Sequence, residues 1–246
     1  MRLFGLIGYP LGHSFSKKYF SQKFLDEGIT DCRYELFPLE NIGELPGLLS
    51  AQPELLGLNI TIPYKEQVIP YLDDSSNLAG IGACNCIDIR QGKLFGYNTD
   101  VIGFRDTFAP ALRPGHTQAL ILGTGGASKA VAYVLGQEGI RFRYVSRTPS
   151  GPGVLAYSDI TPALLETHTV IVNCSPVGTF PNVDEAPDLP YEALTDRHYL
   201  YDLVYNPEKT RFLREGEARG ATIRNGYDML RLQAEAAWAV WSGKAR

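Results

Sequence analysis

Short apolar runs with a two-residue period alternate along this chain with stretches of helical period. Residues 2–9 read as a first strand, closed by the tight loop Gly8-Tyr9-Pro10-Leu11-Gly12. Over residues 17–26 the period turns helical, with Phe20 and Phe24 one turn apart and Gly28 as the stop. Residues 34–37 form a second strand, and a helical stretch follows through Leu49. Next, Leu58, Ile60 and Ile62 alternate with Asn59 and Thr61, so a strand here buries the first three and shows two neutral polar groups on its other face. Pro63 ends that strand and opens a helical turn carrying Lys65. A hairpin is predicted around Gln91-Gly92 with residues 93–97 returning, then a helix over 101–108.

Residues 109–115, rich in proline, mark a boundary. Beyond it come a strand (118–122), a glycine loop, a helix (127–137) and a strand (141–146). Ala127, Ala130, Val131, Val134 and Leu135 give that helix one apolar face. The order is that of a βαβ unit, whose right-handed crossover implies a parallel sheet. Runs at 169–174 and 199–204 extend the sheet, and a helix (208–219), a strand (221–223) and a terminal helix (229–241) complete the chain.

With 246 residues, 44% hydrophobic and 20% charged, the chain can bury a sizeable core in one large domain or two modest ones. A net charge of -4 without a basic run argues against nucleic acid as the partner. No apolar run approaches the roughly 18 residues that a membrane crossing needs. The first ten residues are too broken by Gly and Pro for a signal peptide, so a cytoplasmic protein is expected. Cys32, Cys84, Cys86 and Cys174, like the four histidines, lack metal-ligand spacing. They read as small buried residues, and no metal is expected.

Candidate chemistry gathers at four places. Lys65, just past the end of a strand that carries Asn59 and Thr61, sets a cation beside neutral hydrogen-bonding groups, a set suited to binding and protonating a small polyhydroxy or carbonyl compound. The same octapeptide also reads simply as a strand followed by an exposed lysine. Ser14 and Ser16, two apart and able to point the same way in an extended segment, either cap the helix behind them or also hold an anion there. Asp100 stands at a helix start, where a plain cap is the alternative role. Fourth, Leu122-Gly123-Thr124-Gly125-Gly126-Ala127-Ser128 follows a strand and opens an amphipathic helix, the setting a dinucleotide fingerprint requires, although Ser128 stands at the third glycine position. Such glycines let backbone amides approach a pyrophosphate.

Motifs spread over the full length, in order, resemble the shikimate dehydrogenase family: Gly12-His13-Ser14-Phe15-Ser16, residues 59–65, Gly82-Ala83-Cys84-Asn85, Tyr97-Asn98-Thr99-Asp100, residues 123–127, residues 173–178, residues 202–207, and residues 226–230 with Gln233. The resemblance implies an α/β fold: an N-terminal α/β substrate-binding domain (1–100), a C-terminal Rossmann-like doubly wound NADP-binding domain (101–225), and a terminal helix (226–246) returning to the first, with the active site in the cleft between the domains. It implies reversible NADPH-dependent reduction of 3-dehydroshikimate to shikimate by a monomer or homodimer. Lys65 and Asp100 would be catalytic. Ser14, Ser16 and Tyr205 would hold the carboxylate, and Asn59, Thr61, Asn85 and Gln233 the ring hydroxyls. The cofactor would meet Gly123, Thr124, Gly125, Gly126, Ala127, Ser146, Arg147, Thr148, Val204 and Gly226. A quinate/shikimate dehydrogenase and a catalytically silent binding module are the alternatives. Some positions depart from the family pattern. Cys84 and Cys86 stand for Val and Thr, Tyr19-Phe20 for His-Asn, and Pro149, Ser150 and Gly151 follow Arg147-Thr148 where a second basic residue is common. NADP is therefore expected over NAD by a reduced margin.

Overall fold

The structure, a computed structural model, describes residues 1–12 and 14–244; His13 of the first motif lies outside the described residues. The chain divides into two compact units, one of Met1–Thr99 with Gln233–Arg246, the other of Asp100–Leu232.

The first unit is built from β1 (Arg2–Gly8), α1 (Phe15–Asp26), β2 (Cys32–Pro38), α2 (Leu45–Ala51), β3 (Leu55–Ile60), β4 (Cys86–Arg90) and β5 (Lys93–Tyr97). Its sheet runs β2-β1-β3-β4-β5, with β1 parallel to β2 and β3, and β4 antiparallel to both its neighbours. The β4–β5 hairpin turns on Gln91 (φ 52°) and Gly92 (φ 74°), the doubly left-handed turn that suits strand twist. β1 is an interior strand buried on both faces, so its apolar residues serve two cores. Leu3 and Ile7 pack with Leu45, Leu58, Ile60, Tyr64, Val68 and Ile87. Phe4 and Leu6 pack with Phe20, Phe24, Tyr34, Ala234 and Trp238.

The second unit comprises α3 (Asp100–Phe108), β6 (Gln118–Leu122), α4 (Gly126–Gln137), β7 (Arg141–Val145), α5 (Pro162–Thr167), β8 (Val170–Asn173), β9 (Tyr199–Asp202), α6 (Arg211–Glu217) and β10 (Thr222–Arg224). Its sheet is wholly parallel, in the order β10-β9-β8-β6-β7. Alternation in β9 assigns its faces. Tyr199 stacks on Phe108 of α3 (5.2 Å between centroids) and Tyr201 meets Phe104 edge-on, while Leu200 joins Leu165 of α5 and Phe212 and Leu213 of α6. Helices therefore cover both faces, as in a doubly wound fold. The last helix, α7 (Tyr227–Trp241), begins in the second unit, and from Gln233 onward it belongs to the first.

Three local expectations are corrected. α1 begins at Phe15, so Ser14 is its N-cap and Ser16 lies in its first turn; the two do not share an extended segment. β3 ends at Ile60, and Ile62 is 70% exposed, so the alternation stops two residues early, where Thr61 donates its N–H to the Ile7 carbonyl (2.9 Å) and the chain leaves the sheet. Of the cysteines, Cys84 and Cys86 are buried, but Cys32 and Cys174 are only half-buried; none of the four is in a disulfide. α5, unassigned from periodicity, is six residues opened by a Thr161 cap and Pro162.

Candidate active site

In the first unit a chain of buried amides and hydroxyls joins the ends of four elements. Asn59, 4% exposed near the end of β3, lies opposite Leu6 of β1 and Cys86 of β4. Its Oδ1 accepts a hydrogen bond from the Tyr34 hydroxyl (2.8 Å), and its Nδ2 donates to the Asn85 carbonyl (3.3 Å). Asn85 in turn accepts from the Thr99 N–H at Oδ1 (2.6 Å) and donates through Nδ2 to Thr99 Oγ1 (3.0 Å), while Asn98 donates to the Ala83 carbonyl (2.8 Å). Each buried polar atom thus has a partner, which fixes side chains that water would otherwise let rotate. Burial pushes the Tyr34 phenol well up, so the network is neutral at any ordinary pH.

Lys65 is half-buried on the turn after β3, and its carbonyl accepts from the Cys84 N–H (2.7 Å), tying that turn to the segment leading into β4. Thr61 is half-buried beside it in sequence. Asp100, 6% exposed, opens α3 directly after Thr99. Ser14 caps α1 by accepting from the Lys17 N–H (3.4 Å), which leaves its own proton to donate. Gln233 is buried on α7, and Tyr205 is 37% exposed after β9, its phenol raised by partial burial. Of these candidates, the network joins Asn59 and Asn85. Tyr34 and Thr99, which make the joints, had no assigned role; the available signal was a phenol in an otherwise apolar strand, since a buried Tyr hydroxyl needs a partner.

In the second unit the strand order, renumbered within the sheet, is 2-1-3-4-5 with the reversal between β6 and β8. Ligands of such sheets bind outside the carboxyl ends at that switch point, where the 123–128 loop leaves β6. Gly123 has φ +106°, and an added Cβ would press on the Cys174 and Ser175 backbone at 3.3 Å, so the loop closes on the segment after β8. Gly125 is the N-cap of α4 with no side-chain cap, and a Cβ there would meet nothing within 4 Å. The space beside this N-cap is thus open at the positive end of a 12-residue helix. Ser128, at the departed glycine position, is fully buried, and its hydroxyl donates back to the Gly125 carbonyl (2.7 Å), so the substitution braces the loop.

The neighbouring loops are held by one buried carboxylate. Asp202 accepts from Asn173 Nδ2 (3.0 Å), the Val204 N–H (3.0 Å) and the Thr210 hydroxyl (2.6 Å). Asn173 Oδ1 accepts from the Ser175 N–H (3.1 Å) and hydroxyl (2.6 Å), and the Gly226 N–H donates to the Val204 carbonyl (3.2 Å). Burial pushes the Asp202 carboxyl up to about 7 against these donors. After β7, Ser146 Oγ accepts from the Thr148 N–H (3.2 Å) and donates to its carbonyl (3.1 Å), a tight turn that presents an exposed Arg147. Arg141 and Arg143 are exposed along β7 itself. Thr124 is exposed, and Gly126 and Ala127 are half-buried in the first turn of α4. Among the described residues no group of three or more His, Cys, Asp or Glu is placed to hold a metal.

A neutral polar cluster on one α/β unit and a glycine loop at the switch point of a parallel sheet on the other define a dinucleotide-dependent dehydrogenase. The family model of the shikimate dehydrogenase substrate-binding domain matches residues 6–87. The NADP(+) shikimate dehydrogenase of Halothermothrix orenii is 38% identical over 97% of this chain and 90% of its own. Among solved structures, shikimate 5-dehydrogenase from Thermus thermophilus in complex with NADP(H) and shikimate superposes with a TM-score of 0.85 at 32% identity, covering 99% of this chain and 94% of that one. Shikimate dehydrogenase 1 from Peptoclostridium difficile gives 0.84 at 34% identity, covering 100% and 93%. The chain belongs to the shikimate dehydrogenase family.

Proposed function

We propose that the protein is an NADP-dependent shikimate dehydrogenase, interconverting 3-dehydroshikimate and shikimate, with Lys65 and Asp100 as its catalytic pair. The observation that carries this reading is the buried, fully satisfied amide cluster of Asn59 and Asn85 beside the Lys65 turn, in a chain that also has a glycine loop at a switch point. The relatives at 38% identity bear the name of this activity with NADP.

Ser14 and Ser16 donate to the substrate carboxylate, helped by Tyr205, and the helix start adds the favourable end of its dipole. Asn59, Thr61, Asn85 and Gln233 hold the ring hydroxyls. The amides of Gly123, Thr124, Gly125, Gly126 and Ala127 cradle the pyrophosphate, Val204 and Gly226 also meet the cofactor, and Ser146, Arg147 and Thr148 meet the 2′-phosphate. When bound, the cofactor supplies the hydride. What remains for the protein is to orient the carbonyl and satisfy the oxygen that gains charge. Lys65 does this as proton donor and electrostatic stabiliser, with Asp100 acting alongside it.

Among the described residues no helix is long and apolar enough to cross a membrane. With a net charge of -4 and four cysteines outside any disulfide, we place the protein in the cytoplasm as a monomer or homodimer with small-molecule partners. The test is the absorbance of reduced nicotinamide with shikimate and quinate side by side, each with NADP and NAD. Shikimate with NADP should be the best pair, and Lys65→Ala should lower kcat by about 100-fold or more. A folded Lys65→Ala protein with near-full turnover would remove the catalytic assignment.

A further inference from the structure

Helices α1 and α7 pack through Phe20, Phe24, Ala234 and Trp238, with the Phe24 and Trp238 rings 5.3 Å apart. Apolar contact is non-directional, so it holds the two helices together without fixing how far one slides along the other. Polar groups fix that register. Glu235 of α7 accepts three hydrogen bonds from one face of α1. Lys23 Nζ donates to both of its oxygens (3.0 Å to Oε1, 2.8 Å to Oε2), and the Tyr19 hydroxyl donates to Oε1. Tyr19 and Lys23 stand four residues apart on α1, which puts them side by side. The Lys23 side chain is only 9% exposed, and its other carboxylate partner, Glu27 (2.5 Å), comes from the end of α1 itself, so its bond to Glu235 is the ion pair that crosses to α7. Tyr19 in turn stacks on Phe15 one turn back (5.4 Å, 20°), and Phe15 is the residue between Ser14 and Ser16. Contacts thus run from the serines at the start of α1 to Glu235, two residues beyond Gln233 on α7.

We propose that Glu235 is a positioning residue for substrate recognition, setting where Gln233 stands relative to Ser14 and Ser16. This rests on the reading above, in which the serines hold the carboxylate and Gln233 a ring hydroxyl. A six-membered ring keeps its carboxylate and hydroxyls at set distances, so the groups that receive them must be held at matching ones. A slide of α7 by one residue's rise, about 1.5 Å, cannot keep all three bonds to Glu235. The ring contacts alone would permit it, since aromatic pairs tolerate centroid separations of about 4.5–7 Å. The carboxylate therefore supplies the directional restraint that the apolar interface lacks.

Glu235→Ala removes the acceptor of all three bonds. Shikimate KM should rise about tenfold, the effect of one substrate hydrogen bond held out of place, with kcat within about threefold and the NADP KM unchanged. In a Gln233→Ala background the same substitution should raise KM by no more than about twofold, because the group it positions is already gone. An unchanged KM in Glu235→Ala while Gln233→Ala raises it would overturn the positioning role and leave the substrate assignment standing. An equal rise in both backgrounds would refute action through Gln233 and make Glu235 a packing residue only. No rise in Gln233→Ala itself would overturn the ring-hydroxyl assignment and this inference together. If Glu235→Ala does not fold, Tyr19→Phe takes its place, since it keeps the ring stacked on Phe15 and removes one bond to Glu235. Its KM should then rise about threefold with Gln233 present and stay level without it. Equal KM changes in the two backgrounds, or none in either, refute the proposal.

Discussion

Replacing Asp202 by Asn should make the protein more stable at pH 8 and nearly neutral at pH 5. The carboxyl is pushed up to about 7 by burial, whereas an unfolded chain has it near 3.9. Between those values the folded protein holds a proton that the unfolded chain has released. Stability therefore falls as pH rises, by about 1.4 kcal/mol per unit. This contribution is complete below about pH 4, is lost progressively up to about pH 7 and is flat above, for a total of about 4 kcal/mol. Asn mimics the protonated acid. Its oxygen can keep the Asn173 and Val204 donors, and its amide can donate to Thr210, whose hydroxyl turns to accept. The Thr210 hydroxyl proton loses its acceptor in this exchange, at about 1 kcal/mol. The variant should thus match the parent within about 1 kcal/mol at pH 5 and exceed it by about 3 kcal/mol at pH 8. Urea unfolding followed by far-UV circular dichroism reads this, because both tryptophans, Trp238 and Trp241, belong to the other unit. A constant difference between the two pH values, or a variant weaker at pH 8, would mean that the three donors outweigh burial and Asp202 is already charged.

Arg147→Ala should raise the KM for NADP by about 10- to 100-fold, the loss of a charged hydrogen bond to phosphate, with the KM for NAD almost unchanged; equal losses would make Arg147 a support of its turn. Gly57→Ala places a Cβ against the Trp241 indole, with Cδ1 at 2.5 Å, and drives its Nε1 off the Ile87 carbonyl, now bonded at 2.9 Å. The expected destabilisation is about 2–4 kcal/mol, overpacking plus one hydrogen bond, and tryptophan fluorescence during unfolding measures it.

Much of this protein is local in origin and therefore legible along the chain. The hairpin at Gln91-Gly92 follows from what those two residues tolerate at positive φ, and β6, the glycine loop and α4 follow from a change of period around glycines. The family likeness is carried by motifs that the comparisons support over nearly the whole chain. What periodicity could not supply was where a pattern stops and which distant partner a polar group finds. Ile62 continues an alternation that the sheet abandons after Ile60: Thr61 makes a last ladder bond to the Ile7 carbonyl, and Ile62 is 70% exposed. Ser128 departs from the glycine fingerprint, yet the fold turns its hydroxyl inward to brace the loop. Tyr34 and Asp202 look in the sequence like a strand aromatic and a strand-end acid. Only when β2 lies against β1, and β8 against β9, do their oxygens meet amides about 25 to 30 residues away along the chain, and a buried polar atom must be satisfied by whatever the tertiary fold brings to it.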